Sequence, residues 1–361
     1  MSRSSRTKRQ FASLGVVLCA GLVAAGCGSS SSSNVPQTHT SGAATQPTAI
    51  TIAQYAGIQS WITQVAIAGG FFKKNGIDAT GITVNSGPQA TAALATGDVQ
   101  LIVADTPLTA PLMAKGTKLA ILTAAHRVVF SLMGAPGQKF PHASEGFPAV
   151  MQDLKGKSVG VYGLGTTAQF EVEALLAAAG MSKNDVTFEV TPGQAASLAA
   201  LDSGRVDTAM VSPPAQFLAA KSGAQMLVDL RQHVPGLGGA IGAIAGQIDD
   251  GVWTSQAWLS GHKAAAKEVQ TALVEAGKWI ADPANTAKLL SYVANFGVPA
   301  GSSTEQLQFL RASVPVITTT VSRSALNAWM NLVVTYGLIP KAIPISQYLV
   351  VPVPGIPTIG G

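Results

Sequence analysis

The run Tyr162-Gly163-Leu164-Gly165-Thr166-Thr167-Ala168-Gln169 has the residue types of an anion cradle. It follows a β-branched stretch and opens an apolar-periodic one, so it reads as a strand-to-helix turn. Glycines let backbone N–H groups approach a ligand, and the start of a helix favours negative charge. Thr166 and Gln169 also have capping-box spacing, so a plain capped helix accounts for the same residues. Four other groups carry comparable chemistry. Tyr55, Gln59, Ser60 and Trp61 offer aromatic faces and hydrogen-bonding groups. Asn85 with Ser86, Asp105 with Thr106, and Ser212 supply donors and acceptors at the ends of β-like runs. Arg127 is the candidate cation, its guanidinium fork suited to sulfonate or carboxylate oxygens. Each has a structural alternative: core packing for Tyr55 and Trp61, helix capping for Asp105, plain surface for Arg127.

These residues need elements to position them. Short β-branched runs occur at 50–52, 82–84, 101–103 and 119–122, and again at 158–162, 186–190, 206–211 and 226–228. Helical patterns such as 61–72 and 89–96 lie between them. Strand, helix, strand in this rhythm argues a parallel α/β sheet. Ligands of such sheets bind beyond the carboxyl ends of the strands, and the residues above sit there. From residue 255 onward helical periodicity dominates, with a Pro-rich tail after 339 expected to be extended.

An internal near-repeat organises the chain. Leu94-Ala95-Thr96-Gly97-Asp98-Val99 matches Leu201-Asp202-Ser203-Gly204-Arg205-Val206. In the same register, Val103-Ala104-Asp105-Thr106-Pro107 matches Met210-Val211-Ser212-Pro213-Pro214, and Tyr55 matches Tyr162. Two lobes of one α/β design are expected, with equivalent strand ends facing each other. Residues 165–167 should then face Asn85, Ser86, Asp105 and Thr106 across one cavity, with Arg127 on its wall.

The N-terminus reads as an export signal. Arg3, Arg6, Lys8 and Arg9 precede an apolar stretch, 11–25, too short to span a bilayer comfortably. Ala24-Ala25-Gly26-Cys27 resembles a bacterial lipobox, which makes Cys27 the expected lipidation site. Residues 1–26 are expected to be removed and 27–47, rich in Ser, Thr and Gln, to be a flexible tether. The four basic residues of the signal account for most of the formal charge of +5, so no case for nucleic-acid binding remains. Cys19 and Cys27 are the only cysteines, which removes disulfide, thiolate-metal and cysteine-nucleophile chemistry from the body. The five histidines show no metal-ligand spacing, and no G-x-S-x-G, H-E-x-x-H or Walker A motif occurs. Residues 163–168 fit the dinucleotide pattern G-x-G-x-x-A, but mid-chain in an exported protein with no nicotinamide pool. No catalytic residue, cofactor or metal is expected.

Three motifs carry a resemblance to a known family. Ala68-Gly69-Gly70-Phe71-Phe72-Lys73-Lys74-Asn75-Gly76-Ile77 is similar to its G-F-F-K-x-G-hydrophobic helix end. Leu154-Lys155-Gly156-Lys157-Ser158-Val159-Gly160-Val161 is similar to its entry into the second lobe, and Gly204-Arg205-Val206-Asp207 to its turn into a strand. From about residue 50 to 345 the chain resembles the solute-binding proteins of sulfonate, nitrate, taurine and thiamine-precursor ABC importers. The resemblance implies an α/β, two-lobed periplasmic-binding-protein type 2 clamp with two crossover segments, at 123–134 and 238–247. Lobe one would be 48–128 with 242–361, lobe two 129–241, and 138–151 is longer and more irregular than the family pattern. It implies a monomer partnered by a small solute and ABC permease subunits, which the lipobox at Cys27 would anchor by lipid on the outer face of the cell membrane. A sulfonate-like organic anion leads, from the helix start and Arg127. A heterocycle such as a pyrimidine precursor is the alternative, from Tyr55 and Trp61. An exported enzyme on the same scaffold is a further one, from His126 and Asp105.

Overall fold

The computed structural model describes residues 46–349 and 358–359. The signal-like segment, Cys27 and all but the last two residues of the expected tether lie outside the described residues. Two five-stranded sheets organise the rest. The strands are β1 (Thr48–Gln54), β2 (Ile77–Thr83), β3 (Leu101–Asp105), β4 (Leu119–Arg127), β5 (Ser131–Gly134), β6 (Ser158–Val161), β7 (Thr187–Val190), β8 (Thr208–Val211), β9 (Gln225–Asp229) and β10 (Ile248–Ser255). The first sheet has the order β2-β1-β3-β10-β4 and the second β7-β6-β8-β5-β9.

The two orders are the same design. In each, three strands pair in parallel and the next runs antiparallel. The sequence repeat equates β1 with β6, β2 with β7 and β3 with β8. The antiparallel member of each sheet is the strand that has crossed from the other lobe. Strand β5 follows β4 closely in the chain yet pairs with β8 and β9. Strand β10 returns after β9 to pair with β3 and β4.

Helices cover the sheets. Those that position the cleft are α1 (Trp61–Ala68), α2 (Gly87–Thr96), α3 (Thr106–Ala114), α4 (Thr167–Ala178), α5 (Gly193–Asp202), α6 (Ala215–Lys221) and α7 (Gly239–Ile244). The C-terminal set is α8 (Lys263–Ala281), α9 (Thr286–Val293), α10 (Ser303–Ser313) and α11 (Arg323–Thr335). Helix α8 buries an Ala/Val/Leu stripe, including Val269, Leu273, Ala276 and Ile280, as its 3.6-residue periodicity requires. Trp61, Trp253 and Trp329 are fully enclosed. Each indole N–H finds a carbonyl: Phe296 at 2.7 Å, Ala104 at 2.8 Å and Ile248 at 2.8 Å. An enclosed indole lacking such a partner would cost free energy.

Three elements differ from the sequence reading. Strand β2 starts at Ile77 rather than near 82. It lies at a sheet edge with mostly exposed side chains, so apolar patterning does not mark it. The 138–151 segment forms two short helical turns, Ala143–Glu145 and Ala149–Gln152, pinned by buried Phe140 and Phe147. There His142 Nδ1 lies 2.6 Å from Asp153 Oδ1, and its backbone N–H donates to Asp153 Oδ2. The tail is not merely extended, because Tyr348 is buried and stacks on Trp253. Among the described residues no helix is long and apolar enough to cross a membrane.

Candidate functional site

A cavity of ≈ 700 Å³ lies between the two sheets. The first lobe lines it with Tyr55 and Gln59 after β1, Asn85 and Ser86 after β2, and Asp105 at the end of β3. The second lobe adds Tyr162 after β6, Thr166 and Thr167 at the start of α4, and Gln194 after β7. These are equivalent strand ends in the two repeats, brought face to face.

Local chemistry sets each position. Asp105 closes β3 and caps α3, its Oδ1 accepting the Leu108 N–H at 2.8 Å, which an Asp at the N-cap does well. Its other oxygen, Oδ2, accepts a hydrogen bond from the Thr167 hydroxyl and so ties one lobe to the other. Ser212, the repeat partner of Asp105, receives Gln59 Nε2 from the opposite lobe at 3.0 Å and Gln194 Nε2 at 3.2 Å. Its backbone N–H donates to the Tyr162 hydroxyl at 3.1 Å. Ser86 caps α2 through the Gln89 N–H, and Gln89 Oε1 accepts the Asn85 N–H.

Several sequence-derived candidates are placed elsewhere. Arg127 is exposed and donates to the Gly246 carbonyl at 3.3 Å, so it is not on the cavity wall. Adjacent strand residues face opposite ways, and the inward position belongs to His126. Trp61 is buried edge-on against Phe309, away from the cavity. Ser60 accepts the Tyr55 N–H at 2.7 Å and closes the turn after β1. Thr106 is enclosed at the start of α3. Ser212 meets the cleft only through its hydrogen-bond partners. The Thr166–Gln169 capping box does not form. Thr166 Oγ1 donates to the Gly163 carbonyl, and Gln169 Oε1 accepts the Gly165 N–H at 2.7 Å. That N–H, expected to face a ligand, is already taken.

Sequence reasoning missed the acids. Asp249 and Asp250, at the start of β10, line the cavity with Asp105 and His126. Glu171, one turn into α4, is completely enclosed with neither carboxyl oxygen hydrogen-bonded. The signal available was the Asp249-Asp250 pair set between Ile248 and the apolar Val252-Trp253. Burial, then the Asp250 charge, pushes the Asp105 carboxyl up to about 7. Burial and neighbouring carboxylates raise Asp249 and Glu171 well above the usual range. Burial alone would lower His126, but Asp250 and the Arg127 carbonyl outweigh it and hold it above its ordinary value. Several carboxyls buried this close together cannot all ionise without a counter-charge.

A pH dependence follows. A carboxyl whose pKa is higher in the fold than in the open chain stabilises the fold while protonated. That contribution is complete below the unfolded carboxyl value of about 3.9 and is lost as pH rises through the folded one. For Asp105 the window therefore runs up through about 7. His126, also raised, acts in the same direction. The ligand-free protein is expected to melt several degrees lower at pH 8 than at pH 5, with Asp249→Asn flattening the difference. An equal or higher melting temperature at pH 8 would contradict this.

Two α/β lobes joined by exchanged strands around a shared cleft define a two-lobed α/β clamp. The profile of the NMT1/THI5-like family matches residues 59–286, and the chain belongs to that family. Solved structures share the fold. A protein from Bordetella bronchiseptica RB50 is similar at 21% identity and a TM-score of 0.69, over 84% of this chain and 95% of its own. The alkanesulfonate-binding protein SsuA from Xanthomonas axonopodis pv. citri, bound to MOPS, has 18% identity and a TM-score of 0.65, over 85% and 99%. The periplasmic nitrate-binding protein NrtA from Synechocystis PCC 6803 has 15% identity and a TM-score of 0.56, over 87% and 93%. No curated protein matches significantly.

Proposed function

We propose that the chain is an extracytoplasmic receptor that captures a small, positively charged solute between its lobes and hands it to an ABC importer. The observation that carries this reading is the lining of the interlobe cavity. Its carboxyl groups come from Asp105, Asp249 and Asp250, and the guanidinium of Arg127 is turned away. An anion of the sulfonate or nitrate kind named for the structural neighbours would meet those carboxyls with only His126 to offset them. The flanking aromatic groups of Tyr55, Phe130 and Tyr162 suit an organic body, so an amine-bearing heterocycle fits the same cavity. Capture is by non-covalent closure of a hinged clamp. The lipobox at Cys27 supports anchoring at the membrane, and the tether supports reach from it.

The test is a thermal-shift screen of chelator-treated protein against small cations, nitrogen heterocycles and sulfonates, since a ligand selective for the folded form raises the melting temperature. Cationic solutes are expected to shift it and sulfonates not. A shift by sulfonates alone would overturn the charge assignment. Recovery of the solute chemically altered would favour an enzyme using His126 and Asp105. The mass of the mature N-terminal peptide, with or without a diacyl group on Cys27, tests the anchor.

A further inference from the structure

Resting on the reading that the cleft takes positive charge, we propose that His126, Asp249 and Asp250 form a site for a divalent transition-metal ion, with its open coordination positions facing the cavity. His126 is built as a ligand. Its Nδ1 lies 2.7 Å from the Arg127 carbonyl oxygen, which can only accept, so the proton is on Nδ1. Once Nε2 gives up its proton, as a metal ligand must, its lone pair points at the carboxylates from a side chain 1% exposed. Donation of the other ring N–H to a backbone carbonyl is how metal-bound histidines are held. Nε2 stands 3.0 Å from Asp250 Oδ2 and has no other partner, so the proton between them is the one a metal ion would displace.

The strand supplies the carboxylates by an irregularity. Strand β10 pairs Ile248 with Arg127 and Asp250 with His126, leaving Asp249 as the extra residue of a bulge. A regular strand would send neighbouring side chains to opposite faces. A bulge re-aims one of them, and here both Asp249 and Asp250 reach the cavity. Asp249 is 3% exposed, with neither oxygen hydrogen-bonded. The donor atoms of the three residues lie within 4.8 Å of one another. Bonds of about 2 Å to one ion need only small side-chain rotations from there. One imidazole with two carboxylates is the donor set of zinc, manganese or iron rather than of calcium or magnesium, which take oxygen alone. The cavity of ≈ 700 Å³ far exceeds a bare ion, so water or a neutral lone-pair donor such as a ring nitrogen of a heterocycle would complete the coordination.

The test uses mature, untagged protein stripped with chelator, titrated calorimetrically with Zn(II) or Mn(II) alone. One equivalent is expected to bind. Asp249→Asn and His126→Gln should each weaken binding by about 100-fold or more, since even outer-sphere partners of a metal contribute 10–100-fold. His142→Gln, which alters the exposed His142–Asp153 pair, should leave it unchanged. Circular dichroism melts establish that the variants fold, and Asp250→Asn replaces His126→Gln if the latter does not. No uptake by the wild type, or uptake indifferent to Asp249→Asn, overturns the metal site. Organic cations binding the stripped protein with no metal uptake would overturn it too, while leaving the receptor reading intact. Failure of metals and solutes alike would remove both.

Discussion

Trp61→Ala is expected to lower the unfolding free energy by about 3–5 kcal/mol, the usual cost of removing a large aromatic ring from a filled core. The side chain is fully buried at the start of α1, edge-on to Phe309 at 6.0 Å between ring centroids. Phe309 in turn meets Phe217 of the second lobe at 5.2 Å, so the cavity would open beneath the interlobe contact. With total stabilities commonly about 5–15 kcal/mol, the variant should be marginal at ambient temperature. Trp61→Phe keeps most of the packing and forfeits the N–H bond to Phe296, at a cost of about 1–3 kcal/mol. Denaturant midpoints for the two variants check this. If Trp61→Ala unfolds like the wild type and loses only solute binding, Trp61 is a ligand-stacking residue after all.

Gly297→Ala is expected to weaken solute binding by about 10–100-fold, equivalent to about 1.4–2.8 kcal/mol. Gly297 lines the cavity with φ +75°, where a β-carbon costs about 1–2 kcal/mol. That carbon would also stand 3.0 Å from Gly57 Cα and 3.2 Å from Pro214 Cδ. Pro214 belongs to the second lobe, so the methyl group wedges the two lobes apart where they meet. Gly337 is the control: its φ is +74°, and an added carbon would meet nothing within 4 Å. Gly337→Ala should lose similar stability with affinity unchanged. Equal affinities for the two variants, measured by calorimetry against the solute found in the screen, would remove the wedge argument.

The architecture was legible because it is written locally and twice. The β-branched runs mark the interior strands, and the shared register of Asp105 with Ser212 and Tyr55 with Tyr162 anticipates strand ends that meet at one cleft. The electrostatic character of the cleft was not legible. Choosing between His126 and Arg127 requires knowing which face of β4 looks inward, and one residue of register inverts the answer. Asp249 and Asp250 reach the cavity together only because β10 bulges opposite His126, a property of the pairing rather than of either residue. Glu171 is enclosed by contacts from distant parts of the chain, which no local pattern encodes. Trp61 and Ser60 stood beside true lining residues in sequence, yet α1 turns them into the core.

The exchange of β5 and β10 between the sheets governs the order in which the chain can be assembled. The second sheet draws all its strands from Ser131 to Asp229. The first waits for Ile248–Ser255, because β4 reaches its neighbours only through β10. A chain emerging from the ribosome N-terminus first therefore completes its later half before its earlier one. Truncation just before Ile248 would leave β3 with an open edge and β4 with no neighbour in the sheet, the kind of exposed backbone that nucleates aggregation.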